Sequence, residues 1–226
     1  MNLFRKGSIF LTFFGSCLAL ALVVAALGTK WWVTARAKRI SNPGESDGKI
    51  NLGLFEGDKR LNVKYGWREH PVSVVELARK EREFLLYGAW IATIGCLAVG
   101  LLFSTLSAIF AVLNTATNQY LTLTGVPGLY LWNLLAMSFH LFAVILWAIQ
   151  YIQKLQYNVL SRDDLDNRWT SSNMASLGYS FWFVVGASLV HLGNAIVVYI
   201  GTKEPRDSKN SIPIVEEKGG GAIMLY

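Results

Sequence analysis

Inside the most apolar parts of this chain lie five uncharged polar side chains: Asn133, His140, Gln150, His191 and Asn194. His191 and Asn194 are i, i+3 neighbours, so on a helix they share one face. Two imidazoles in such surroundings could relay a proton or hold a metal. A proton or ion path also calls for ionisable carboxylates, and no Asp or Glu falls in these segments. The residue types therefore point to hydrogen bonds between helices, with no metal or cofactor expected. His70 lies elsewhere and has no Cys or His companion at ligand spacing. Catalytic patterns are missing too. There is no His-Glu-x-x-His, no Gly-x-Ser-x-Gly nucleophile turn and no phosphate-cradling Walker sequence. Asp163, Asp164 and Asp166 lack the spacing of a calcium loop and read as a solvated turn. Enzymatic function is not expected.

Two further patterns could recognise partners. Gly88, Ala92, Cys96, Gly100, Ser104 and Ala108 recur every four residues, a slowly rotating stripe on a helix. Small side chains let helix backbones approach closely in lipid, where packing replaces the hydrophobic drive. The stripe serves contact within a bundle or lateral association with other membrane proteins. At the other end of the chain, Met224-Leu225-Tyr226 presents apolar, any, apolar and a free carboxylate. PDZ-type scaffolds add such a tail as a strand and capture the carboxylate on backbone N–H groups.

The elements that must position these residues follow from the distribution of charge. The 226 residues are 53% hydrophobic and 16% charged, against about 25% charged in soluble domains. No Asp, Glu, Lys or Arg occurs in the 23 residues between Lys6 and Lys30, the 70 between Glu83 and Lys154, or the 34 between Arg168 and Lys203. A bilayer core about 30 Å thick needs about 20 apolar residues as helix. The outer runs hold one span each; the middle run holds two, divided by the polar stretch Asn114 to Thr124. The expected fold is an all-α transmembrane four-helix bundle, with spans at 8–28, 85–113, 128–153 and 178–202. These leave an N-terminus at 1–7, a first loop at 29–84, a short second loop at 114–127, a third loop at 154–177 and a tail at 203–226. The first span also reads as a signal sequence, since Arg5-Lys6 precedes it and Ala26-Leu27-Gly28 closes it; cleavage would leave three spans. Cys17 and Cys96 both fall inside spans, so no disulfide framework is expected. No Asn-x-Ser/Thr sequon occurs.

The first loop holds its own structure. Ile50, Leu52 and Leu54 alternate with polar residues, and so do Leu61, Val63 and Tyr65. The pattern predicts a β-hairpin turning at Glu56-Gly57-Asp58-Lys59, with 32–40 as a third strand of a small sheet on the membrane surface. Residues 72–84 turn helical and would extend the second span. The loop's 54 residues from Lys30 to Glu83 carry 12 Lys or Arg against 8 acidic residues. The signs are interleaved, so a mixed solvated surface is expected and a nucleic-acid partner is not. With four spans both ends share one side. The positive-inside rule, counted near span ends, gives five basic residues to the termini and ten to the loops. That count puts the termini outside.

Several runs resemble the clarin family, four-span proteins related to the claudin-like tetraspans. They are Ala26-Leu27-Gly28-Thr29-x-x-Trp32, Gly53-Leu54-Phe55-x-Gly57, Gly125-x-x-Gly128-Leu129-Tyr130-x-Trp132-Asn133, Gly178-Tyr179-Ser180-Phe181-Trp182 and the Met-Leu-Tyr end. They stand in the family's order from one end of the chain to the other. The chain departs from other clarins in lacking loop-one cysteines and sequons. The resemblance implies cytoplasmic termini, loops one and three outside, residence in the plasma membrane and no enzymatic activity. It implies a role in organising membrane regions or protein complexes, with the lipid bilayer, other membrane proteins and a PDZ-type scaffold as partners. The alternative is a channel or auxiliary channel subunit, whose polar path would have to come from Asn133, His140, His191 and Asn194.

Overall fold

The structure, a computed structural model, describes residues 3–63, 66–117 and 122–203. Four long helices form the bundle: α1 (Leu3–Gly28), α3 (Tyr87–Ala116), α4 (Val126–Gln150) and α6 (Tyr179–Thr202). All four are apolar enough to cross a membrane. At 1.5 Å per residue even α6, with 24 residues, is about 36 Å long, against a hydrocarbon core of about 30 Å. In lipid the backbone must satisfy itself, which is why these runs are helical. α1 packs on α3 and α6, and α4 on the same two, so each helix has two neighbours. Pro127 opens α4, where its missing N–H costs nothing. One turn of π-helix, Tyr151–Leu155, continues α4. The chain is a multi-pass tetraspan membrane protein in contact with the bilayer.

Above the helices lies an antiparallel sheet. The first loop supplies β1 (Val33–Arg39), β2 (Ser46–Leu52), β3 (Glu56–Val63) and β4 (Trp67–Ser73), paired in the order β4-β3-β2-β1. Alternation decides the faces. Val33, Ala35, Ala37, Ile50 and Leu52 are buried toward the helices, while Arg36, Lys38 and Lys49 point outward. The expected hairpin is present but turns earlier than the Glu56–Lys59 expectation. Its bend is 53–55, and Leu52 already pairs with Gly57. The reason is packing: a Cβ on Gly53 would lie 2.7 Å from the Thr29 carbonyl oxygen, and Leu54 is fully buried. The expected helical extension of the second span is also replaced. Val72 and Ser73 belong to β4, and α2 (Val74–Lys80) is a separate short helix capped by the Ser73 hydroxyl. The chain breaks after it because Phe84 and Leu85 drop into the core, 3% and 2% exposed.

The third loop joins the same sheet, which its sequence did not announce. After α5 (Arg162–Asp166), β5 (Trp169–Thr170) and β6 (Ala175–Leu177) both pair with the free side of β1. Asp164 is 7% exposed and accepts two hydrogen bonds from the Lys59 ammonium at 2.6 and 2.7 Å and one from the Ser161 hydroxyl. The expected solvated turn is thus corrected at Asp164. Lys59 lies on the inner face of β3 and needs a counter-charge there. Asp163 and Asp166 remain exposed.

Two apolar clusters fill the bundle. The larger runs from Ala19, Leu97, Ala143 and Ala187 up into the inner face of the sheet. Trp32 and Trp147 meet edge-on within it, centroids 5.0 Å apart. The smaller gathers Ile9, Ala111, Leu129 and Val198 toward the chain termini.

Candidate functional site

Between the two apolar clusters lies a polar layer to which each long helix contributes. Its centre is Asn133 on α4, fully buried. The Asn133 amide nitrogen donates to the Leu129 carbonyl one turn back, at 2.8 Å. That bond fixes the amide's orientation and leaves Oδ1 as an acceptor. His191 Nδ1 donates to it at 2.9 Å and Asn194 Nδ2 at 3.1 Å. Since a carbonyl oxygen only accepts, Nδ1 carries a hydrogen. On the other edge of the ring, His191 Nε2 lies 2.7 Å from the Ser104 hydroxyl of α3. Ser104 also lies 2.8 Å from the Gly100 carbonyl, so its single proton serves two acceptors. Asn194 reaches α1, donating to the Thr12 carbonyl and the Ser16 hydroxyl, both at 3.2 Å. Ser16 closes the layer on Ser107 of α3 at 3.0 Å. Buried polar groups in lipid need such partners, because unpaired ones cost several kcal/mol.

Of the intramembrane residues read from sequence, Asn133, His191 and Asn194 are brought into one network. His140 is not part of it. Its ring lies 5.6 Å from that of His191, fully buried, and neither nitrogen has a hydrogen-bond partner. It packs against Gly100, where a Cβ would come 2.5 Å from its Cδ2 and Nε2. Gln150 is buried one face higher and its amide is likewise unpartnered. Thr12, Ser16 and Ser107 were not singled out from sequence. Their signal is the pairing of small hydroxyls at i, i+4 on α1 and i, i+3 on α3, at the depth of the two asparagines.

The small-residue stripe divides in two. Gly100, Ser104 and Ala108 are buried in the bundle, Ala92 and Cys96 are half-buried, and Gly88 is exposed. A four-residue repeat drifts around a helix of 3.6 residues per turn, which carries the stripe from the interior to the lipid face. A Cβ on Gly88, or on Gly95 two turns along the same face, would meet nothing within 4 Å. Met224, Leu225 and Tyr226 lie outside the described residues.

The head is tied to the bundle by indoles. Trp90 Nε1 donates to the Leu54 carbonyl at 2.9 Å and Trp32 Nε1 to the Ala26 carbonyl at 2.7 Å. These contacts give the Gly53-Leu54-Phe55 and Ala26-to-Trp32 runs a physical purpose: the first is a close-packed bend and the second a buried anchor. At the rim, Lys30 lies 3.1 Å from Asp58 and 3.4 Å from Glu56. The hydrogen bond it donates to Asp58, with the neighbouring carboxylate charges, holds its ammonium above the ordinary 10.5. Among the described residues no group of three or more His, Cys, Asp or Glu is placed to hold a metal.

Comparison with known proteins agrees with this architecture. The chain is similar to Clarin-3 of Homo sapiens, 29% identical over 203 residues, covering 87% of this chain and 85% of the human protein. It is 28% identical to Clarin-3 of Rattus norvegicus over 185 residues, 78% of this chain and 76% of the rat protein. For Mus musculus Clarin-3 the figure is 25% over 191 residues, 84% and 82% of the two chains. A model of the family described as Clarin-2, Clarin-2-like, matches residues 4–198, which takes in both structured loops and all or most of each of the four spans, and so the chain belongs to the Clarin-2-like family.

Proposed function

We propose that this chain is a non-enzymatic organiser of the plasma membrane, assembling complexes by lateral helix contact and by a cytoplasmic scaffold bound to its tail. The observation that carries the lateral part is the lipid-facing end of the α3 stripe. Gly88 and Gly95 leave open a backbone strip on which a partner helix can close, while the buried half of the stripe is spent on the bundle itself. The scaffold part rests on Met224-Leu225-Tyr226 and needs both termini in the cytoplasm. Family membership supports that side; the count of basic residues opposes it.

The channel reading has less support, because three of its four polar residues, Asn133, His191 and Asn194, are consumed by one another and His140 alone is left unpartnered. Proximity labelling and co-purification from mild detergent test the proposal. Gly88→Leu with Gly95→Leu should lose membrane partners while the protein stays folded. Removal of 224–226 should lose only a soluble scaffold. Unchanged partners in both variants would reject this reading.

A further inference from the structure

The outer face of the sheet sets three cations side by side on adjacent strands. Arg36 of β1 is the register partner of Lys49 on β2, and Lys49 is the partner of Arg60 on β3. Directly opposed side chains in an antiparallel sheet lie about 5 Å apart at Cβ, and like charges there are destabilising. The fold relieves this strain only at one end. Arg60 continues the row to Glu69 on β4, which accepts from it at 2.9 and 3.1 Å. Lys49 lies over the Trp67 ring, 5.9 Å from its centroid. Arg36 has no side-chain partner among the described residues. Asp58, the nearby carboxylate, is already engaged by Lys30. A row of exposed cations with one end uncompensated is a site in want of an anion.

The surface in front of the row is concave. A cleft of about 580 Å³ is lined by Trp31, Arg36, Lys49 and Arg60 among others. A neighbouring cleft of about 460 Å³ continues past Lys49 and Arg60 to Trp67. Trp31 places the lower end. It follows α1 by three residues and stacks on Tyr179, the first residue of α6, centroids 5.4 Å apart. Aromatic pairs at helix ends mark the level of lipid head groups. The cleft therefore runs from the bilayer surface up to the cations, and it offers an aromatic face below and positive charge above. Arg36 is five residues beyond Trp31, at most roughly 16 Å along an extended strand. The polar zone of a bilayer extends only about 5–7 Å beyond the hydrocarbon on each side. A compact head group stays low in that space; one that stands up from the surface fills it.

We propose that this cleft binds an acidic lipid whose head group is a sugar or inositol ring, the ring against Trp31 and the anionic group between Arg36, Lys49 and Arg60. The site is distinct from the polar layer, the α3 stripe and the tail, and it holds whichever side of the membrane the sheet faces.

The test uses the full chain in nanodiscs of phosphatidylcholine doped separately with a phosphoinositide, a sialylated glycolipid or phosphatidylserine. Lipids retained after extraction are counted by native mass spectrometry. The wild type should retain the phosphoinositide or the glycolipid in preference to phosphatidylserine and phosphatidylcholine. Arg36→Gln with Lys49→Gln should cut that retention about tenfold, the loss expected for two charge-assisted contacts. Lys49→Arg should preserve it. Both variants change exposed side chains, and an unchanged thermal midpoint confirms that the fold survives. Equal retention of all four lipids, or retention unaffected by the double substitution, would overturn the proposal. So would capture of a soluble heparin fragment in place of lipid, which would assign the row to a free polyanion.

Discussion

Asn133 does the work of a keystone because its one carbonyl oxygen serves donors from two different residues of α6. Asn133→Leu removes that acceptor, strands His191 Nδ1 in a lipid-surrounded core and leaves Asn194 Nδ2 only its α1 acceptors, Thr12 and Ser16. Hydrogen bonds between membrane helices are worth about 0.6–2 kcal/mol each, and unpaired donors add to the loss. The expected cost is about 2–3 kcal/mol, read as a lower thermal midpoint in detergent. Gly15 makes a matched test of close approach. A Cβ there would overlap the Asn194 amide, whereas one on Gly7 of the same helix would meet nothing. Gly15→Ala should therefore cost about 1–3 kcal/mol, and Gly7→Ala should leave the midpoint unchanged. Asn133 and Asn194 could be read from sequence as polar and buried. Their hydroxyl partners could not, because a Ser or Thr in a membrane helix can always satisfy itself on the carbonyl one turn back, as Ser138 does.

At the scale of elements, the first and third loops fold as one unit. The clasp between them is Lys59 with Asp164, side chains 16% and 10% exposed. Removing one partner of a buried pair costs more than removing both, because a lone buried charge remains. Asp164→Asn should expose β5, β6 and α5 to hydrogen exchange, and Lys59→Met with Asp164→Leu should restore much of the protection. The rim pair behaves differently. Since the Lys30 ammonium is held above 10.5, its contribution is complete below that pH and is lost as the pH rises further. Sequence made the β2–β3 hairpin legible through period-two alternation and the four spans through long gaps in charge. It did not reveal β5 and β6. Strands of two and three residues are too short to show a period, and their partner residues lie 130 positions or more away. The hairpin bend was displaced for a related reason: Gly53 is fixed by the Thr29 carbonyl, a contact that local turn signals do not encode.

For the whole molecule, one measurement bears on both its orientation and its tail. With the termini in the cytoplasm, an epitope at Tyr226 is reached by antibody only after permeabilisation, and one in the 40–45 turn is reached on intact cells. The opposite result would vindicate the charge count and remove any cytoplasmic scaffold. Three of the family's motifs, Ala26 to Trp32, Gly53 to Gly57 and Gly178 to Trp182, sit where the bundle meets the sheet, and backbone and ring contacts there leave few alternatives; Gly125 to Asn133 opens α4 at the other end of the bundle.

The polar layer also bears on how the protein is made. A ribosome delivers α1, α3 and α4 to the membrane before α6 exists. Until then Asn133 Oδ1 and the hydroxyls of Ser16 and Ser104 await His191 and Asn194. The last helix is what seals the layer, so an unfinished chain carries a visible mark of incompleteness within the bilayer. A nascent chain ended after Leu177 should be short-lived in a pulse-chase experiment. Asn133→Leu in that truncated chain should lengthen its half-life, although the same substitution weakens the finished protein.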